Sequence, residues 1–201
     1  MLERLVTRGL EAMCRAMWGT APRMIPHAVH EMGPLGALRW FGTNMPRYLL
    51  TMKVLGPLRT HLTCLVISLS NGCRYCAFRY AYALELSYLR DHGHLFPLDA
   101  RTIAGWHDLG PRELGNRMHI LLQEAGLHVE AMWVDRTLAL ASGEQLPVDK
   151  DEVRIVHLIR MLDTMNTIAI ESGIEPDEPP SPIMRCTTIP EPYAHLPVST
   201  G

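Results

Sequence analysis

Residues 68–80 read Ser-Leu-Ser-Asn-Gly-Cys-Arg-Tyr-Cys-Ala-Phe-Arg-Tyr and contain the pair Cys73 and Cys76. The Asn-Gly step before the pair indicates a turn, and the residues from the pair to Leu89 include neither Pro nor Gly. This pattern predicts a helix that starts at the two cysteines.

Both thiols are expected in the first turn of that helix, with Ser70 or Asn71 as its N-cap. Unpaired backbone N–H groups and the helix dipole favour a thiolate over a thiol at such a position. The spacing also places Cys73, Cys76 and Tyr80 at i, i+3 and i+7, on one face of the helix. We therefore predict a reactive dithiol, with the side chain at position 80 leaning towards it.

The motif Asn-Gly-Cys-x-Tyr-Cys, behind a second helix predicted over residues 58–69, resembles the alkylhydroperoxidase D-like branch of the carboxymuconolactone decarboxylase superfamily. The resemblance implies a small helical domain, a homo-oligomer, and thiol peroxidase or disulfide chemistry. It also implies that Cys76 attacks a peroxide and that Cys73 resolves the resulting sulfenic acid into a disulfide.

The chain departs from this family at the two positions that relay protons. The family has a Glu twelve residues before the first Cys and a His four residues after the second, whereas this chain has His61 and Tyr80 there. A Tyr, with a pKa of about 10, mostly donates a proton and cannot simply replace a His. We expect His61 to act as the base across the helix pair, and Tyr80 to orient a water or stabilise the leaving oxygen.

Helical periodicity covers most of the remaining chain. Apolar residues recur at helical spacing over residues 2–18, which predicts an amphipathic helix that ends at Gly19. Further helices are predicted over residues 35–55, 99–106, 111–126, 127–142 and 153–171, with Asp99 as one N-cap and a capping box over residues 149–152. Because no segment alternates with the period of a strand, we expect an all-α fold, a single helical domain of alkylhydroperoxidase D-like type over residues 1–174.

Two proline-containing stretches interrupt this pattern. Residues 21–34 hold three prolines and are expected to be a turn-rich connection that exposes His27 and His30. Residues 175–201 hold prolines at 176, 179, 180, 182, 190, 192 and 197, with few apolar residues between them. This composition predicts an extended Pro-rich C-terminal tail.

Composition and charge disfavour several classes of protein. A net charge of −2 without a dense basic run gives no electrostatic reason to expect nucleic acid or an anionic membrane as a partner. No apolar run approaches the roughly 20 residues that span a bilayer, and the first five residues do not resemble a signal peptide. We therefore expect a cytoplasmic protein, in which Cys14, Cys64 and Cys186 are ordinary thiols.

Three classes of function stay open. The first is a thiol-dependent oxidoreductase that acts on a hydroperoxide or a disulfide and is reduced by a partner thiol protein. The second is a metal-binding protein, although the chain has no second Cys-x-x-Cys motif to complete a zinc site. The third is a divergent, non-enzymatic helical oligomer that acts by binding. No motif for a flavin, a nicotinamide or a haem is present, so no cofactor is expected.

Overall fold

The structure, a computed structural model, describes residues 1–176 except the side chain of Trp18. Within that range it contains eight α-helices, one 3-10 turn and no strand, which confirms the all-α class. The helices are α1 (Leu2–Trp18), α2 (Met24–Leu55), α3 (Pro57–Ser70), α4 (Arg74–His92), α5 (Ala100–Ala104), α6 (Pro111–Glu124), α7 (His128–Ala141) and α8 (Lys150–Glu171), and the 3-10 turn is Gly105–Asp108. Among these helices none is long and apolar enough to cross a membrane. From residue 177 onward, the predicted tail lies outside the described residues.

The first part of α2 corrects the expectation of a turn-rich connection over residues 21–34. Pro26 lies in the first turn of this helix, where backbone N–H groups have no partner within the helix in any case. Gly33, with φ 68° and ψ 159°, interrupts the helix, and Pro34 starts the next segment. Pro26 and Pro34 are therefore compatible with a helix. His27 and His30 are exposed on α2, and their exposure was expected.

Helices α3 and α4 form an antiparallel pair at the centre of the molecule. The turn between them is closed by Gly72, with φ 73°, and by a hydrogen bond from the Cys73 N–H to the Ser68 carbonyl over 2.9 Å. The ten residues of α3 from Thr60 to Leu69 are all buried. A helix that is buried on all sides needs neighbours around its whole circumference, and α3 packs against α2, α4, α7 and α8.

The buried apolar residues form two clusters on either side of this central pair. One cluster joins α1, α2 and α8 to the side of α3 and α4 that carries Cys64, Cys73 and Cys76. The other joins α5, α6 and α7 to the opposite side. The cysteine pair thus faces the part of the core that α2 and α8 complete.

The start of α8 follows the predicted capping pattern with one difference. Asp149 caps the helix by accepting the backbone N–H groups of Asp151 and Glu152, each over 2.8 Å. The Glu152 carboxylate reaches back to the N–H of Val148 over 2.7 Å, one residue beyond the position expected for a capping box. It also forms a two-pronged ion pair with Arg136 of α7, which ties the two helices together.

Candidate dithiol site

The thiol of Cys73 is itself the N-cap of α4, in place of the predicted Ser70 or Asn71. Its Sγ atom accepts the backbone N–H of Cys76 over 3.3 Å. Asn71 and Gly72 are used instead to close α3, because their N–H groups bond to carbonyls of that helix. Since the turn occupies these residues, α4 begins directly at the cysteine motif.

The two thiols of the pair have opposite electrostatic environments. The hydrogen bond from the Cys76 thiol, with help from the backbone N–H groups of Tyr75 and Cys76, lowers the pKa of Cys73 against the effect of burial. The same hydrogen bond, together with burial, raises the pKa of Cys76 well above its ordinary value. Cys73 therefore holds the negative charge of the pair when one proton is lost, and Cys76 holds the remaining proton.

A cavity of about 90 Å³ lies beside Cys76, between α2, α4 and α8. Cys73 does not line it. Its walls are mainly apolar and include Trp40, Phe41, Met45, Met161 and Met165; its polar groups come from Tyr48, Tyr75, Arg79 and Tyr80. A small molecule in this cavity would meet the sulfur of Cys76 rather than that of Cys73.

Tyr80 lies where the sequence predicts it, on the cavity wall with Cys76. Burial raises the pKa of Tyr80 well above its usual range, and the buried thiols around it add to this shift. Its hydroxyl therefore keeps its proton near neutral pH and is available as a donor.

Cys64 also belongs to this site, although the sequence suggested only an ordinary thiol. A hydrogen bond from Tyr80 lowers the pKa of Cys64, but burial has the larger effect and raises it. Its position follows from the helix pair: Cys64 precedes the Asn71-Gly72 turn by seven residues, and Tyr80 follows it by eight. Residues at similar distances from the turn of an antiparallel pair face each other, and this signal could have identified Cys64.

His61 does not lie at the thiols, contrary to the role expected for it. Its Nδ1 atom donates to the carbonyl of Ala83 over 3.2 Å and lies 3.2 Å from the Ser87 hydroxyl. Ala83 is seven residues beyond Cys76, which is about 10 Å along a helix. Burial also lowers the pKa of His61 to about 4, so that the ring is neutral and weakly basic. The register of the helix pair directs His61 to the middle of α4 rather than to its start.

Arg79 brings a positive charge to the cavity. The sequence did not indicate a role for this residue. Its guanidinium lies 5.7 Å from the centre of the Tyr75 ring. Its charge lowers the pKa of Cys76, Tyr48 and Tyr80, against the larger opposite effect of their burial. No carboxylate within residues 1–176 forms an ion pair with it.

The metal-binding alternative requires several ligand side chains that lie close together. Within residues 1–176, no three His, Cys, Asp or Glu side chains are grouped so as to hold a metal ion. His92 stacks on the Tyr88 ring at 4.1 Å between ring centres, and its Nδ1 atom lies 3.1 Å from the Tyr88 carbonyl. This histidine thus has a structural role at the end of α4.

Comparison of the chain with models of protein families, with curated proteins and with solved structures found no match. The resemblance to the alkylhydroperoxidase D-like branch therefore remains a prediction from the motif and its helical context.

Proposed function

We propose that the protein is a thiol-dependent oxidoreductase whose Cys73 and Cys76 cycle between a dithiol and a disulfide. The oxidising substrate is a hydroperoxide or a disulfide, and a partner thiol protein returns the pair to the reduced state. The observation that carries this proposal is the pair of thiols at the start of α4, where the Cys73 Sγ atom accepts the backbone N–H of Cys76 and Cys76 lies on the wall of a cavity. Low-pKa thiols at helix starts are the usual centres of thiol–disulfide exchange.

For a hydroperoxide, the pair can supply its own proton transfer. The Cys76 proton passes to the Cys73 thiolate, along the hydrogen bond between them. The Cys76 thiolate then attacks the terminal peroxide oxygen and the O–O bond breaks, which leaves a sulfenic acid on Cys76 and an alkoxide. The alkoxide takes the proton from Cys73 and leaves as an alcohol. In this scheme Cys73 takes the place of the family's separate base, and the Tyr80 hydroxyl turns from Cys64 to donate its hydrogen bond to the leaving oxygen.

The second step forms the disulfide. The Cys73 thiolate attacks the sulfur of the Cys76 sulfenic acid, the S–S bond forms, and the S–O bond breaks to release hydroxide. Two electrons have then passed from the two sulfurs to the peroxide, which is reduced to an alcohol and a hydroxide ion. A partner dithiol supplies two electrons to restore the pair.

The test is mass spectrometry of the reduced, thiol-labelled protein before and after one equivalent of hydroperoxide. We expect a disulfide between Cys73 and Cys76 at a rate well above that of a free model thiol. Cys73→Ser should stop at a sulfenic acid on Cys76 and should form it slowly, because the base that takes the Cys76 proton is lost. Cys76→Ser should not react rapidly. Cys14→Ser is the control, since it alters another buried thiol.

An oxidation rate equal to that of a model thiol for both hydroperoxides and disulfides would contradict the proposal. The alternative, a helical oligomer that acts by binding, would then be favoured, because a silent dithiol leaves the fold without a redox role. The alkylhydroperoxidase D-like type of domain and the homo-oligomer are proposals from the same resemblance, and the cytoplasmic location is a proposal from the cysteine content of the chain. Sedimentation velocity of the full chain tests the oligomer.

A further inference from the structure

We infer that the cavity beside Cys76 binds a small organic acid, with its carboxylate against Arg79 and its apolar part against the aromatic and methionine side chains of α2 and α8. Binding of an organic acid in the cavity does not depend on redox chemistry. The identity of the substrate does rest on the proposed function, because the oxidant would then be a hydroperoxide that carries a carboxylate.

The charge at the cavity is the first support. Arg79 is half-buried, and within residues 1–176 no carboxylate neutralises it. The groups that it influences in the cavity, Tyr48, Cys76 and Tyr80, have raised pKa values and are neutral near pH 7. A partly buried guanidinium without a carboxylate partner favours an anion, and its planar fork of donors matches a carboxylate.

The size and lining of the cavity limit what that anion can be. Its volume of about 90 Å³ exceeds the roughly 10–15 Å³ that a single water needs, but is well below the roughly 300–1,000 Å³ of sites for drug-sized ligands. A peptide or a nucleotide is therefore too large. Met45, Met161 and Met165 have flexible, polarisable side chains that adapt to an apolar ligand and contact aromatic rings favourably.

The relative positions of Arg79 and Cys76 define how such a molecule would lie. The two residues are three apart on α4, so their side chains are neighbours on one face of the helix. A carboxylate paired with Arg79 would leave the next few atoms of the ligand beside the Cys76 sulfur and the Tyr80 hydroxyl. The reacting group of a substrate would therefore lie only a few bonds from its carboxylate.

The experiment compares propionate with propionamide, which has nearly the same shape but no charge, by calorimetry on the reduced full-length protein. We expect saturable binding of propionate and at least about tenfold weaker binding of propionamide, the ratio typical of a hydrogen bond to a charged group. Arg79→Gln should weaken propionate binding by about the same factor and leave propionamide binding unchanged. Arg74→Gln is the control, because this exposed arginine of the same helix lies 3.6 Å from the Glu175 carboxylate at the surface.

Equal affinities for the two ligands, no propionate binding by the folded wild type, or an Arg79→Gln protein that binds propionate normally would each overturn the inference. Circular dichroism of each variant confirms that the helices are intact. A Cys73→Ser/Cys76→Ser protein that still binds propionate would support a site independent of the redox pair. Propionate binding without oxidation of the dithiol by any hydroperoxide or disulfide would leave the inference standing and contradict the proposed function.

Discussion

The backbone N–H of Cys76 donates a hydrogen bond to the Sγ atom of Cys73 over 3.3 Å. This contact makes the first cysteine of the motif both the cap of α4 and the acceptor of the pair. Cys76 keeps its proton and lines the cavity, whereas Cys73 carries the negative charge and does not line it. A transfer of one proton between them is enough to move the thiolate to the sulfur that a substrate can reach.

The first prediction concerns the thiolate of Cys73. Cys76→Ala should raise the pKa of Cys73, since the hydrogen bond from the Cys76 thiol is the largest contribution that lowers it. The pH dependence of the thiolate ultraviolet absorbance measures this shift. Cys14→Ala, a change at a buried thiol in α1, should leave the titration of Cys73 unchanged. An unchanged titration in Cys76→Ala would mean that the backbone N–H groups alone stabilise the thiolate.

The second prediction concerns Tyr80. Tyr80→Phe should slow disulfide formation with a hydroperoxide by about 100-fold, the lower part of the range for loss of one hydrogen-bond donor to a developing oxyanion, because the leaving oxygen loses that donor. Stopped-flow measurement of the first turnover gives the rate. Tyr82→Phe is the control, since Tyr82 packs against the other core cluster, away from the cavity. Equal rates for Tyr80→Phe and wild type would leave Cys73 as the sole proton donor.

The third prediction is a pH dependence of stability from His61. Its pKa is about 4 in the folded protein and 6.5 in the reference state, so the unfolded chain binds the proton more readily. The free energy of unfolding should therefore fall as the pH drops from 6.5 towards 4, by about 2 kcal/mol at about pH 5. Urea unfolding across this range measures the loss, which His61→Gln should reduce while the exposed His27→Gln should not.

The same His61→Gln protein tests the role that the resemblance suggested. Because the ring lies at Ala83 and Ser87, we expect its dithiol to be oxidised at the wild-type rate. A large loss of that rate in a folded variant would return His61 to the mechanism as a base.

The fourth prediction concerns the start of α8. Asp149→Ala removes the acceptor for two backbone N–H groups and should lower the free energy of unfolding by about 1 kcal/mol. Asp149→Asn keeps a side-chain oxygen at the cap and should retain most of the stability. Urea unfolding of both variants makes the comparison, and an equal loss in both would indicate that the charge matters more than the hydrogen bonds.

Elements with local signals were predictable from the sequence. Gly19, in a left-handed conformation, ends α1, and Asp99 and Asp149 cap the helices that follow them. In each case the signal and the structure that it produces lie within a few residues, so no information from the rest of the chain is needed. The helix over residues 24–32 was missed because prolines mark turns in general but are accepted in a first helical turn.

The sequence by itself determined that a dithiol with the spacing of one helical turn would lie at the start of a helix, beside Tyr80. The tertiary structure alone decided which other groups face it. His61 and Cys64 are both buried on α3, yet Cys64 meets Tyr80 whereas His61 meets Ala83. The physical reason is that the spacing of residues along one helix defines a face, but the register and rotation of a second helix against that face follow from packing of the whole core. For the same reason the tertiary structure brought Tyr48 and Arg79 to the cavity, where α2, α4 and α8 meet.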